Sequence, residues 1–197
     1  MSQKRPGRQQ LIDFLANSAT VQQTVEEAFP GVDSKALAQI LGASDPTPKI
    51  ESTEKSHGVS PDGLVFVHTD GACRGNPGPS GAGWVFSEPG GHVFRRGKAF
   101  LGRATNNEAE YVAVILALED ALEQGFQSLK LHADSELLIK QVNGIYRVKN
   151  PRIKELYTRL MGLARKFVSF EAVHVRREFN AEADLEANRA IDGRDQS

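Results

Sequence analysis

A single cysteine, Cys73, stands among the 197 residues, which excludes an internal disulfide and any zinc site built on several thiolates. No apolar run approaches the roughly 20 residues that a helix needs to cross a bilayer. The opening MSQKRPGRQQ carries charge, but no apolar core of a signal peptide follows it. These absences lead us to expect no membrane partner and a reducing, cytoplasmic setting. An excess of one charge is missing as well: Lys and Arg number 24, Asp and Glu 25. That excludes a histone-like polycation, yet nucleic-acid binding through a local basic surface stays open. Hydrophobic residues at 40% and charged residues at 25% match a globular chain, so wholesale disorder is excluded too.

The chain changes character near residue 60. Upstream, Leu11, Ile12, Phe14, Leu15, Val21, Val25 and Phe29 recur at helical spacing, and 33–42 reads as a second helix stopped by Gly42. Residues 1–42 are expected to form a small helical segment, and 43–63, rich in Pro, Ser, Gly and charge, a linker. Residues 64–197 hold the main domain. Runs at 64–71, 81–89 and 91–101 read as consecutive strands, with 88–92 turning the second into the third. A helix is predicted over 105–125, where Tyr111, Val114, Ile115, Leu118 and Leu122 mark one face. A strand at 128–133, a short helix from Ser135, a helix opened by Pro151, a strand at 168–175 and a helix over 180–191 complete the pattern. Three strands followed by alternating helices and strands predict an α/β fold, a five-stranded mixed sheet flanked by helices.

The most informative stretch runs from Asp70 through GACRGNPGPSGAG to Trp84. A carboxylate ends a buried strand, and a Gly/Pro loop leaving backbone amides exposed follows. No Lys-Ser or Lys-Thr follows a glycine, which excludes a phosphate-binding P-loop. The glycines lead into a strand rather than a helix, which excludes a dinucleotide fingerprint. Asp134 also ends a strand, where an ordinary helix cap would look the same. Glu108 and Glu110 open the long helix and Asp184 the last one, and a helix dipole alone would favour each of them. Singly these acids are ordinary. Together they stand at strand ends and helix starts, which a mixed sheet can gather at one edge. Clustered carboxylates raise one another's pKa unless a cation neutralises them. Hard oxygen donors without Cys or a His pair suit Mg2+ or Mn2+. Two such ions would hold the attacking water and the leaving oxygen of a phosphodiester.

HTDGACRGNPGPSGAG, TNNEAEY, HADSELLIKQV and HVRREFNAEADLEANRA, in this order, resemble type 1 ribonuclease H over residues 64–191. The resemblance is to shorter members without the basic protrusion, since only GIYRVKN separates Asn143 from Pro151. It implies a ribonuclease-H-like fold and an endonuclease that hydrolyses the RNA strand of RNA–DNA hybrids with two Mg2+ or Mn2+ ions, leaving 3′-hydroxyl and 5′-phosphate ends. The same resemblance assigns Asp70 as the acid bridging both ions. It selects Glu110 over Glu108, and pairs Glu110 with Asp134 on the leaving-group side. Asp184, the acid of the Nx3D motif, falls to the ion that activates water. Cys73, Gly75, Asn76, Asn106 and Asn107 are implied to line the minor groove of the hybrid, where 2′-hydroxyls both donate and accept.

Several positions depart from the family pattern. Arg177 stands in the loop where many members carry a His. Glu186 replaces the usual Leu, as a packing change or a fifth acid, and Glu136 stands where a Gln often reads the groove. His174 reads as a structural strand residue, while His68 and His132 point the same way as the acids they precede. Arg147, Lys149, Arg152 and Lys154 form a basic cluster expected to contact phosphate. Two other functions remain open from sequence: a related nuclease preferring RNA–DNA junctions or RNA–RNA duplexes, and a non-catalytic nucleic-acid-binding module. A monomer is expected.

Overall fold

Strand β2 (Leu64–Cys73) alternates buried Val65, Val67 and Thr69 with half-buried Phe66, His68 and Asp70. That two-residue period gives the sheet two faces, each covered by a different helix. The computed structural model describes residues 51–53 and 63–193; the expected helical segment at 1–42 lies outside them. The other elements are β1 (Glu51–Thr53), β3 (Gly78–Ser87), β4 (Val93–Ala104), α1 (Asn106–Glu123), β5 (Ser128–Ala133), α2 (Glu136–Val142), α3 (Pro151–Ala164), β6 (Ser169–His174), a 3-10 turn (Arg177–Phe179) and α4 (Ala181–Asp192). The sheet order is β1-β4-β3-β2-β5-β6. The β2–β5 and β5–β6 pairs are parallel and the others antiparallel.

The five expected strands are present as β2 to β6, and β1 adds a sixth. It falls inside the segment read as a linker, where Glu51, Ser52 and Thr53 pair with Lys98, Gly97 and Arg96 of β4. Its own sequence carries no alternation; the pairing meets backbone groups on the β4 edge. Strands β2 and β3 also run further than expected. They stay paired as far as Cys73 and Ser80, so most of the Gly/Pro stretch read as an open loop is ladder and only 74–77 turn. The physical reason is packing rather than turning. A Cβ on Gly71 would lie 2.2 Å from the Glu110 amide nitrogen, and one on Gly83 would lie 2.3 Å from both Ala183 O and Ala187 N. These glycines admit helix backbone onto the sheet.

Helix α1 lies on the face lined by Val65, Val67, Trp84, Phe86, Leu129 and Leu131. Its outer side is covered by α3 through residues such as Leu160 and Leu163. The helix is therefore buried nearly all round, from Ala109 to Ala121, rather than along the single expected stripe. A polar knot crosses this core: Asp120 accepts from Trp84 Nε1 at 2.8 Å and from Arg95 Nε at 2.9 Å. Helix α4 covers the opposite face, over β3 and β2. Between α2 and α3 the described chain forms no helix, in keeping with the short connection seen in the sequence.

Candidate active site

Parallel pairing of β2 with β5 runs in register to His68 and His132. Asp70 and Asp134 each lie two residues further on and on one face of the sheet. Asp134 stands just past the end of β5 and Asp70 inside β2, which continues to Cys73 instead of ending at the acid. The same register stacks the two imidazoles at 4.6 Å. Glu110 arrives from α1 on one face, seated by the close approach at Gly71, and Asp184 arrives from α4 on the other, seated at Gly83. Asp70, Glu110 and Asp134 line a cleft together with Thr69, Ser135 and Leu138.

The electrostatics follow from this crowding. Burial first, then the charges of Asp134, Asp184 and Glu110, push the Asp70 carboxyl up to about 7, and a hydrogen bond shared with Asp134 adds to the rise. Burial also raises Glu110, opposed by a hydrogen bond from Ser135, reinforced by Asp134 and opposed again by Asn106. Carboxylates crowded so that Asp70 and Glu110 are both raised are a donor set suited to a hard divalent cation. Among the described residues no three His, Cys, Asp or Glu side chains close into a ready-made cage.

Neighbouring side chains hold the acids in place. Glu110 accepts from Ser135 Oγ at 2.6 Å and from Asn106 Nδ2 at 3.0 Å. Arg177 Nη2 lies 3.2 Å from Asp184 Oδ1, and Asn188 Nδ2 donates to Asp184 Oδ2 at 3.3 Å. The residues expected in the groove gather on one rim. Cys73 Sγ reaches Ala104 O at 3.1 Å, Gly75 turns with φ +90°, and Asn76 Oδ1 accepts from the Asn106 amide at 3.1 Å. Asn107 Oδ1 is shielded from solvent without a partner. Arg177 stands apart from this rim, beside Asp184.

Other positions take structural roles. Glu108 closes a capping box with Thr105 and pairs with Arg152, so it braces the start of α1. Glu110, and not Glu108, lines the cleft with Asp70 and Asp134. Arg152 thereby ties α3 to α1 while staying exposed, as do Arg147, Lys149 and Lys154. Glu186 is buried and paired with Arg189 at 2.7 Å, and Glu136 pairs with Lys140 at 2.7 Å. His174 stands exposed at the end of β6. Sequence reasoning passed over Asn180, which is 1% exposed and donates to Asp134 Oδ1 at 3.1 Å. An Asn before a helix reads as a cap, and the only signal was its place in the Nx3D motif.

Comparison with known proteins agrees with this geometry. A family profile described as reverse transcriptase-like matches residues 68–190. Ribonuclease HI of Halobacterium salinarum is 42% identical over 136 residues, covering 68% of this chain and 68% of that protein. The crystal structure of RNase H1 from the same archaeon superposes with a TM-score of 0.65 at 42% identity, covering 66% of this chain and 98% of that one. LC11-RNase H1, solved in complex with an RNA/DNA hybrid, gives a TM-score of 0.62 at 39% identity over 65% of this chain and 96% of its own. The chain belongs to the type 1 ribonuclease H family.

Proposed function

We propose that this chain is a ribonuclease H, a metal-dependent endonuclease that hydrolyses the RNA strand of RNA–DNA hybrids. The observation that carries the proposal is the gathering of Asp70, Glu110, Asp134 and Asp184, with Asp70 raised to about 7 by burial first and then by the other three. The capture of an RNA/DNA hybrid by LC11-RNase H1 supports the same substrate here.

In this reading Asp70, Glu110, Asp134 and Asp184 would hold Mg2+ or Mn2+, with Asp70 shared by two ions, Glu110 and Asp134 serving the leaving-group side and Asp184 the side of the attacking water. When bound, the ions activate that water and neutralise charge on the phosphate. The water oxygen bonds to phosphorus, the P–O3′ bond breaks, and the departing oxygen takes up a proton, leaving 3′-hydroxyl and 5′-phosphate ends. Ser135 and Asn106 fix the Glu110 carboxylate through its two oxygens. The rim of Cys73, Gly75, Asn76, Asn106 and Asn107 presents amide and backbone groups to the 2′-hydroxyls that distinguish RNA from DNA. Arg177, whose guanidinium offers donors and no acceptor, contacts the phosphate and does not relay a proton as a His in that loop could. In this reading the enzyme acts as a monomer in the cytoplasm; its single cysteine accords with a reducing compartment.

The test is a panel of end-labelled substrates: an RNA–DNA hybrid, an RNA–RNA duplex, and a DNA duplex with one RNA–DNA junction. The hybrid is cleaved fastest, at internal positions of its RNA strand. Comparable cleavage of RNA–RNA, or cleavage confined to the junction, would replace this substrate assignment. Binding without any cleavage would leave a non-catalytic module.

A further inference from the structure

We propose that Asn180 is a positioning residue of the active site, whose side-chain amide clamps the Asp134 carboxylate to the β2 backbone at Thr69 and so sets the spacing of the acids. The inference rests on reading these acids as metal ligands.

Asn180 is 1% exposed, and its Nδ2 donates both to the Thr69 carbonyl at 2.9 Å and to Asp134 Oδ1 at 3.1 Å. Its backbone carbonyl accepts from the Asp184 amide at 3.1 Å. One residue thus touches the strand position before Asp70, the carboxylate of Asp134 and the backbone of Asp184. Thr69 is held in the β2 ladder, but Asp134 lies just past the end of β5. The sheet that fixes the backbone beside Asp70 does nothing for the Asp134 side chain. Asn180 supplies that restraint by borrowing the rigidity of β2.

The chemistry of the contact narrows what can do this. Both partners are pure acceptors, so the group between them must offer two N–H donors, which a carboxamide does and a carboxylate or hydroxyl does not. Asn180 also occupies the N-cap position of α4 without making a side-chain cap bond, and its Oδ1 is buried without a partner. An Asn placed to start the helix would turn that oxygen to the first-turn amides. Here the side chain is turned the other way, with its donors on the acid site. One Asp134 oxygen, Oδ1, is thereby held by the amide.

The test uses the full chain, wild type beside Asn180→Ala, Asn180→Ser, Asn180→Asp and a control Asp134→Asn. Four quantities are read: Mn2+ affinity by electron paramagnetic resonance without nucleic acid, hybrid affinity in EDTA, kcat and KM on a labelled hybrid, and the melting temperature. Asn180→Ala is expected to weaken Mn2+ binding and lower kcat, each about 10- to 100-fold, with hybrid affinity in EDTA within about twofold of wild type. Asn180→Ser, keeping one donor, falls between Ala and wild type. Asn180→Asp, which sets a carboxylate against two acceptors, lies below Ser in kcat. Folded Asn180→Ala that binds Mn2+ and turns over like wild type overturns the proposal. If Asn180→Ala does not fold, the order of Ser above Asp in kcat supports the proposal and equality or reversal overturns it. Wild type that binds no Mn2+, or Asp134→Asn that cleaves normally, overturns the reading of the acids themselves. That is distinct from a failure at Asn180, where Asp134→Asn is impaired and Asn180→Ala is not.

Discussion

Ser135 Oγ donates to Glu110 Oε2 at 2.6 Å and accepts from the Leu138 amide at 3.4 Å. One hydroxyl therefore caps α2 and restrains a carboxylate carried by α1, so the start of one helix and the chemistry of another are coupled. Ser135→Ala should do two separable things. Loss of the cap is worth about 1 kcal/mol, which in a domain of this size lowers the melting temperature by about 2–4 °C. Loss of the donor to Glu110 lowers kcat several-fold with KM little changed. Thermal melting and steady-state cleavage of a hybrid read the two effects; a lowered melting temperature with unchanged kcat would show that Glu110 does not depend on this bond.

Glu108 and Glu110 sit in the same turn and should behave oppositely. Burial pushes the Glu108 carboxyl up, but hydrogen bonds from the Thr105 amide and hydroxyl and the Arg152 charge outweigh it, and its pKa lies below the ordinary 4.5. A depressed carboxyl stabilises the fold above its unfolded pKa, and that contribution is lost as pH falls through the folded value. Glu108→Gln should cost about 1 kcal/mol at neutral pH, the difference from wild type should vanish in acid, and cleavage should persist. Glu110→Gln should abolish cleavage without lowering stability, since burial and Asp134 oppose its charge in the folded state. Urea unfolding across pH, paired with hybrid cleavage, distinguishes the two. Lost cleavage in Glu108→Gln at full stability would reverse their roles.

That pair also marks how far the residues alone carry the reading. Asp70, Asp134 and Asp184 are legible because each stands in a short motif at a strand end or helix start, and the strand–helix pattern requires those ends to meet. Glu108 and Glu110 are not separable by helical position, because a dipole favours both. What separates them is the Thr105 cap and Arg152, a residue of α3 that local sequence does not connect to α1. The same remoteness conceals β1, whose pairing is dictated by the β4 edge, and Asn180, whose partners lie on β2 and beyond β5. Glycines between strands suggest a loop until the helices that need Gly71 and Gly83 are in place.

Gly83→Ala tests that packing. The added methyl would meet the Ala183 carbonyl and the Ala187 amide nitrogen, each at 2.3 Å, and backbone atoms cannot rotate away. Overpacking of this kind costs about 1–3 kcal/mol or more, and relief requires α4 to move with Asp184. The variant should melt lower, and the fraction that remains folded should cleave more slowly per molecule. Slower cleavage absent from a folded, destabilised variant would show that Asp184 tolerates a displaced α4.

Divalent cation and pH should be linked through the acid cluster. With Asp70 raised from 3.8 to about 7, the folded state binds a proton more tightly than the unfolded one. The contribution of Asp70 to stability without metal is therefore greatest below the unfolded value and falls as pH rises towards 7. A cation that replaces the proton restores it by binding the native state. Melting in EDTA should drop from pH 5 to pH 8, and Mn2+ should raise the melting temperature more at pH 8 than at pH 5. Equal Mn2+ effects at both values would mean the cluster is not where the ion binds.

The central claim, that Asp70 is the shared ligand of a hybrid-cutting metal site, is tested most directly by comparing wild type with Asp70→Asn on one end-labelled RNA–DNA hybrid in Mg2+ or Mn2+. The account predicts that wild type cuts the RNA strand internally, leaving 3′-hydroxyl and 5′-phosphate ends, while Asp70→Asn binds the hybrid and leaves it intact. Equal cleavage by both proteins, or none by wild type in either metal, would contradict it.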